Sequence, residues 1–203
     1  MKKLRCYVSL DKEEKWLNEM TSQGWELYRK YIKYEFRKTS SSNTITKIDY
    51  RNFKSKYDFQ NYITLFKDCG WEHITGSKTS GKQYFKKMDE RAGDDIFSDV
   101  SSKAERYKKL SNMWLSMVAC YIAIFMSFDI DITTVLNPKL WYYTPELWQK
   151  IGTSFWGAFL CETPFAMMRG FIWLAFPCLI ILYTIFAVKA QMYYKKTNLE
   201  NRI

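Results

Sequence analysis

Two stretches of this 203-residue chain carry no charge: Leu110 to Phe128, 19 residues, and Phe171 to Val188, 18 residues. A helix needs about 20 mainly apolar residues to cross the hydrocarbon core of a bilayer. A soluble core helix of that length normally keeps a polar stripe toward water, and neither run has one. Within lipid each backbone amide must be satisfied inside its own segment, so both runs are expected to be helices. Pro177 lies inside the second run and predicts a kink there rather than an end. The competing reading, two core helices of a soluble fold, leaves the missing polar stripe unexplained.

The net charge of +10 divides sharply around these runs. Residues 1–109 hold 24 Lys/Arg against 16 Asp/Glu, the stretch between the runs sums to −1, and the tail to +3. Lys103, Arg106, Lys108 and Lys109 precede the first run, and Lys189, Lys195 and Lys196 follow the second. Cytoplasmic flanks collect Lys and Arg, so both termini are expected inside and the protein is expected to be a multi-pass component of a plasma membrane. The intervening loop, with Asp129, Asp131, Glu146 and Glu162 against Lys139, Lys150 and Arg169, then lies outside. It is dense in aromatics: Trp141, Tyr142, Tyr143, Trp148, Phe155, Trp156 and Phe159. That is the composition of an interfacial belt, read either as headgroup anchoring or as contact with an external ligand. Residues 151–168 are apolar enough for a third span. Glu162, Pro164 and two glycines weaken it, so an interfacial or re-entrant element is preferred.

The N-terminal part repeats itself. Trp16-Leu17-x-x-Met20-x-x-x-Gly24-Trp25-Glu26 aligns with Tyr62-Ile63-x-x-Phe66-x-x-x-Gly70-Trp71-Glu72. Each copy is preceded by an alternating segment (residues 4–10 and 44–50) and closes with an aromatic-basic strand (residues 34–38 and 84–87). The spacing predicts helices over residues 12–23 and 58–69, the second with Phe59, Tyr62, Ile63 and Phe66 on one face. Gly24 and Gly70 stand where left-handed caps stop a helix. The expected fold is therefore an α+β domain, a duplicated β-α-β-β whose antiparallel sheet carries both helices on one face, followed by a two-helix transmembrane region. Alternation would collect Arg5, Tyr7, Lys33, Glu35, Arg37, Lys47 and Asp49 on the uncovered face, either solvated or as a partner surface.

Ser102 with Glu105 resembles a capping box, and one helix is expected from there through the first run. The chain thus divides into a cytosolic domain (1–88), a polar linker (89–101), a stalk and first transmembrane helix (102–128), an external aromatic loop (129–170), and a second transmembrane helix with a cytosolic tail (171–203). The charged start has no apolar stretch before Asp11, so neither a signal peptide nor lipidation is expected. Cys6, Cys69, Cys120, Cys161 and Cys178 are an odd set without paired spacing, and read as small buried apolar side chains.

The residues Glu14-Lys15-Trp16-Leu17-Asn18-Glu19-Met20, Gly24-Trp25, Lys47-Ile48-Asp49-Tyr50 and Leu65-Phe66-x-x-Cys69-Gly70-Trp71-Glu72 resemble the domain-of-unknown-function 2812 family over roughly residues 1 to 90. Its members are bacterial membrane proteins, common in Gram-positive genomes and often encoded beside PadR-type repressors. The resemblance implies a bacterial plasma membrane and an envelope-stress or antimicrobial-responsive setting. It implies no activity, cofactor or catalytic residue.

His73 is the lone histidine and aligns with Leu27, so a structural role is favoured over that of a general base. Phosphate-binding loops, dinucleotide fingerprints, nucleophile elbows and zinc spacings are missing, which points away from an enzyme and from any cofactor or metal. An RNA-binding sheet would expose its stacking aromatics, whereas Tyr34 and Phe36 alternate onto the buried side, so nucleic acid is not an expected partner. The expected function is a membrane-anchored, non-enzymatic sensor, regulator or immunity-type protein. Its cytosolic domain meets an unknown protein partner or a small ligand, and its external Trp141, Tyr142, Tyr143, Trp148, Trp156, Glu162 and Arg169 meet the envelope signal. The alternative is an oligomeric pore or transport subunit, a homo-oligomer in which Glu162 lines the path and pairs with Arg169.

Overall fold

Ser9 opens the first helix, its Oγ accepting the amide of Lys12 at 3.3 Å before α1 runs Leu10–Ser22. A serine there satisfies one of the amides that a helix start leaves without a partner. Gly24 follows at φ +81°, a conformation that costs glycine little, and turns the chain into a strand. The second half does the same: Ser55 caps α2, Lys56–Asp68, by accepting the Asp58 amide at 3.0 Å, and Gly70 follows at φ +83°. Both helices begin two residues earlier than the apolar spacing predicts, because the serine cap and not the first apolar residue sets the start.

In a computed structural model of the chain, residues 1–40, 44–128 and 132–199 are described. Asp129 and Asp131, counted above among the loop charges, lie outside them. The chain divides into two units, Met1–Met113 with Phe186–Ile203, and Trp114–Ile185.

In the first unit β1 (Lys2–Lys3), β2 (Trp25–Lys30) and β3 (Tyr34–Lys38) form a sheet in the order β1-β3-β2. Strands β4 (Thr46–Tyr50), β5 (Trp71–Thr75) and β6 (Lys82–Lys87) form a second sheet in the order β4-β6-β5. All pairings are antiparallel. The expected single sheet is thus two small ones. Each has a register shift at the matching place, between Leu27 and Arg29 in β2 and between His73 and Thr75 in β5. Such bulges bend an edge and interrupt its ladder. What joins the two edges is a side chain, Thr75 Oγ1, which accepts the Lys30 amide at 3.3 Å. The strand expected over residues 4–10 is also corrected. Only Lys2–Lys3 pairs with β3, and the rest is drawn toward α1, with the Tyr7 ring 5.6 Å from that of Trp16.

The two helices do not share a sheet face. Neighbouring residues of a strand point to opposite sides. In β6, Tyr84 donates to Glu13 of α1 at 2.7 Å, while Phe85 packs on Tyr62 and Phe66 of α2. So α1 and α2 lie on opposite faces of the second sheet. Alpha-1 also covers the first sheet, where Trp16 meets Tyr34 and Phe36 edge-on. Burial follows this sandwich: Leu10, Leu17, Leu27, Tyr34, Ile48, Tyr84 and Phe85 are each no more than 2% exposed.

Residues 89–101, expected as a linker, contain no regular element before the last two positions, yet they are held to the domain. Ala92 and Ile96 pack on the Tyr62, Trp71 and Phe85 cluster, and Asp95 accepts from Lys103 at 2.7 Å. Helix α3 then runs Val100–Ser127 as one piece, as expected. Its cap is Asp99 rather than the Ser102 and Glu105 box: Asp99 accepts from the Ser102 amide and from the hydroxyls of Ser101 and Ser102. A carboxylate one turn earlier reaches the first free amides, and leaves Ser102 inside the helix.

In the second unit a short helix, α4 (Ile132–Leu136), and two 3-10 turns (Pro138–Trp141 and Leu147–Gln149) precede α5, Thr153–Leu199. Alpha-5 is 47 residues long and passes through Pro164 and Pro177. The separate re-entrant element expected at 151–168 is therefore continuous with the second apolar run. Both α3 and α5 are long and apolar enough to cross a membrane, and only 11% of the apolar window in each is buried. The core helix of a soluble fold would be mostly covered. The five cysteines, expected buried, are all exposed and free. Cys120, Cys161 and Cys178 stand on outward faces of α3 and α5, and Cys69 is spent on the α2 cap.

Hydrogen bonds from Ser101 and then Ser102 hold the Asp99 carboxyl down at about 2, from its ordinary 3.8. Its contribution to the start of α3 is therefore complete above about pH 4 and is lost as pH falls through about 2. Carboxyl resonance titration should place the Asp99 midpoint near pH 2, with amide exchange at Ser102 rising over the same interval; a midpoint near 4 refutes the cap.

Candidate functional site

Strand β4 is a sheet edge, yet its free side is buried rather than solvated. Its backbone groups are satisfied by side chains. Asn18 of α1 accepts the Thr46 amide at 2.7 Å and donates to the Thr46 carbonyl at 3.4 Å. Glu14 accepts the Ile48 amide at 3.1 Å. Arg106, one turn before the first apolar run on α3, donates to the Ile48 carbonyl at 2.6 Å. Together three side chains stand where a neighbouring strand would be.

Arg106 is 1% exposed and also pairs with Glu14 at 2.5 Å and with Asp11. Beside it the Tyr107 hydroxyl donates to Asp11 at 2.8 Å and accepts the Asp11 amide at 3.1 Å. Burial pushes the Glu14 carboxyl above its ordinary range, with Arg106 and then Lys47 pulling the other way. Glu13, fully buried one residue earlier, accepts from Tyr34 at 2.6 Å, Tyr84 at 2.7 Å and Lys82 at 2.5 Å. Two adjacent carboxylates thus join both sheets and α3 to one turn of α1. The Glu13 oxygens are used by protein donors, which makes it a structural joint.

The residues expected on an open basic sheet face are dispersed. Glu35 and Arg37 do share the face of β3 away from Trp16, paired with Lys2 at 2.7 Å and Glu26 at 2.9 Å. Lys33 is exposed in the β2–β3 turn. Arg5 lies over the Trp16 ring and donates to Tyr7 at 3.0 Å, both outside any strand. Lys47 is 3.7 Å from both Glu14 and Asp95. Asp49 is buried, accepting from Tyr62 of α2 at 2.7 Å. Five of the seven therefore do not lie on that face, because Arg5 and Tyr7 precede the helix, Lys33 sits in the turn, and the second sheet is covered on both sides.

What the first unit does expose is the tip of the β2–β3 hairpin. Tyr28, Tyr31 and Ile32 are 57%, 81% and 74% exposed, interleaved with Arg29, Lys30 and Lys33. With the turn after β5, residues 28–32 border a groove of about 740 Å³. Tyrosine and arginine are enriched at protein interfaces relative to the rest of the surface, whereas lysine is depleted there. The sequence signal is the run Tyr28-Arg29-Lys30-Tyr31-Ile32-Lys33 itself, which was not singled out above. His73, on the wall of this groove, shares a hydrogen bond of 3.0 Å with Gln83, and burial lowers its imidazole below the ordinary range.

In the second unit the loop residues singled out from sequence do converge. Glu162 accepts from the Tyr143 and Thr144 amides and the Thr144 hydroxyl, and pairs with Arg169 at 2.8 Å. Arg169 donates to the Trp141 carbonyl at 2.9 Å and lies 4.1 Å from the Tyr143 ring centre. Tyr142 stacks on Phe159, and Trp148 leans on Tyr142, Phe155 and Phe159. Trp156 meets Phe155 and Phe159. Any side chain at Gly170 would collide with the Trp141 ring.

A family model described as a protein of unknown function (DUF2812) matches residues 9–119. The match extends past the N-terminal domain into α3 and so includes Arg106. No curated protein and no solved structure matches the chain.

Glu162 holds the loop from four donors at once, so Glu162→Ala should raise amide exchange at Tyr143 and Thr144 while leaving the β-sheet amides of the first unit unchanged. Unchanged exchange at both residues rejects the clamp.

Proposed function

The chain belongs to the DUF2812 family, and on that footing we propose that it is a membrane-anchored, non-enzymatic sensor or regulator of the bacterial cell envelope. The apolar runs of α3 and α5 are its two spans, with both termini on the cytoplasmic side, as the Lys and Arg flanks favour. The N-terminal unit is an internal duplication, supported by the repeated cap, bulge and strand order. It is the recognition module.

The observation that carries this reading is Arg106. The residue that completes the β4 edge is on the helix that continues into the first span, so a rotation or shift of that helix acts directly on Asp11, Glu14 and Ile48. Breaking a buried pair by removing one partner costs about 3–5 kcal/mol. A signal of that size can move the domain between two arrangements. The pore reading depends on Glu162 as a path residue, and the contacts of that carboxylate with Tyr143, Thr144 and Arg169 count against it.

The hairpin tip is the partner surface. Its partner is a protein segment with carboxylates flanking an apolar anchor, complementary to Arg29, Lys30 and Lys33 around Tyr31 and Ile32. The Tyr31→Ser/Ile32→Ser variant should keep the stability of the parent within about 0.5 kcal/mol, as exposed substitutions do. It should also lose the partner recovered from wild type by crosslinking in the native membrane. Retained crosslinking removes the hairpin as the surface.

Arg106→Met should destabilise the first unit by about 3–5 kcal/mol, read as a fall in its denaturation midpoint in detergent. A change below 1 kcal/mol would discard α3 as the coupling element.

A further inference from the structure

Several cations of the first unit are spent on ion pairs: Arg37, Lys47, Lys82, Lys86, Lys87, Lys103 and Arg106 all have carboxylate partners. Lys12, Lys189 and Lys196 make no ion pair among the described residues, and all three are exposed. They come from two distant parts of the chain, the first turn of α1 and the end of α5. With Tyr7, Met192 and Tyr193 they border one cavity of about 550 Å³. Three like charges around one opening repel one another, and an anion between them relieves that repulsion.

The position of the cavity narrows the anion. Lys189 directly follows Val188, the last residue of the uncharged run, and Lys196 is two turns further along the same face. If that run crosses a bilayer, the cavity opens at headgroup depth. Its walls also suit an amphiphile: Val8, Met192 and the rings of Tyr7 and Tyr193 line it together with the three lysines.

We infer that this cavity, between the start of α1 and the end of α5, holds the phosphate headgroup of an anionic glycerophospholipid. The inference rests on the reading of residues 171–188 as a span. Basic pockets on the cytoplasmic side of membrane helices take such headgroups, and each lysine near an anionic surface contributes enough that three together amount to about a hundredfold in affinity. A bound headgroup would tie the entry to α1, next to Asp11 and Glu14, to the lipid composition of the leaflet.

The test uses full-length protein in neutral detergent, titrated with phosphatidylglycerol or phosphatidylcholine, with bound lipid counted by native mass spectrometry. Phosphatidylglycerol should be retained at about a hundredfold lower concentration than phosphatidylcholine, and inorganic phosphate should not displace it. In Lys12→Gln/Lys189→Gln/Lys196→Gln the preference should vanish with the lipid-free thermal midpoint unchanged. Should that variant unfold, Lys12→Gln alone, remote from α5 in sequence, should still weaken phosphatidylglycerol several-fold. Equal retention of the two lipids by wild type, or full preference in the variants, overturns the site. Displacement by inorganic phosphate overturns the lipid source in favour of a soluble anion. Alkaline carbonate extraction separates the two premises: release from membranes defeats the span reading, whereas retention without lipid preference defeats only the pocket.

Discussion

The first unit depends on how the outer edge of β4 is satisfied. A buried strand edge with free amides and carbonyls is costly, since each unpaired group loses its water without compensation. Another strand, a covering loop or solvent would normally take them. Here Asn18, Glu14 and Arg106 do so, and two of the three are charged. Replacing such a pair with apolar residues would cost little or even add stability, so its presence is better explained by specificity than by strength. An apolar contact would tolerate several helix rotations. A guanidinium that must reach one carbonyl and two carboxylates tolerates one. The arrangement fixes the rotation of the first turns of α3 against the domain.

This constraint was legible in the sequence only in part. The buried stripe of α1 is Leu10, Glu13, Glu14, Trp16, Leu17, Met20 and Thr21. Two carboxylates on an otherwise apolar stripe require buried donors. The periodicity therefore announced that partners exist, without saying which. Arg106 read as one more flanking cation of a membrane span, because a sequence shows charge near an apolar run but not whether that charge faces lipid or protein. The helices and their glycine stops were readable, since caps are local chemistry.

Sheet arrangement was not readable, for a related reason. Alternation says which residues of a strand share a face. It does not say which helix covers that face. Tyr84 and Phe85 are both large and aromatic, and the pattern of β6 fits burial on both sides as well as it fits one twisted sheet. The bulges that interrupt each ladder at β2 and β5 leave no strong mark either, since Tyr28 and Ile74 suit a regular strand. In the second unit the opposite held. Glu162 and Arg169, seven residues apart, occupy one face of α5 two turns from each other, so their pairing followed from helical geometry once the helix was continuous. Aromatic density at 141–159 announced a cluster, but composition alone cannot distinguish rings that meet lipid from rings that meet one another.

The cations around the apolar runs serve different ends, and counting them as a single bias conceals this. Before the first run, Lys103 is bound to Asp95 and Arg106 is buried among carboxylates. Lys109 has only a long contact of 3.9 Å with Glu105, and Lys108 lies over the Tyr194 ring at 6.0 Å. Attraction to an anionic surface acts on charge that is still unneutralised and within about a Debye length. By that standard the flank before the first run contributes two cations rather than four, while Lys189, Lys195 and Lys196 after the second make no ion pair among the described residues. The proposed orientation therefore rests more on the C-terminal flank than the bare composition implies. Because Lys12 of α1 faces the same cavity as Lys189 and Lys196, the fold adds a cation to that flank which no linear count around the runs would include.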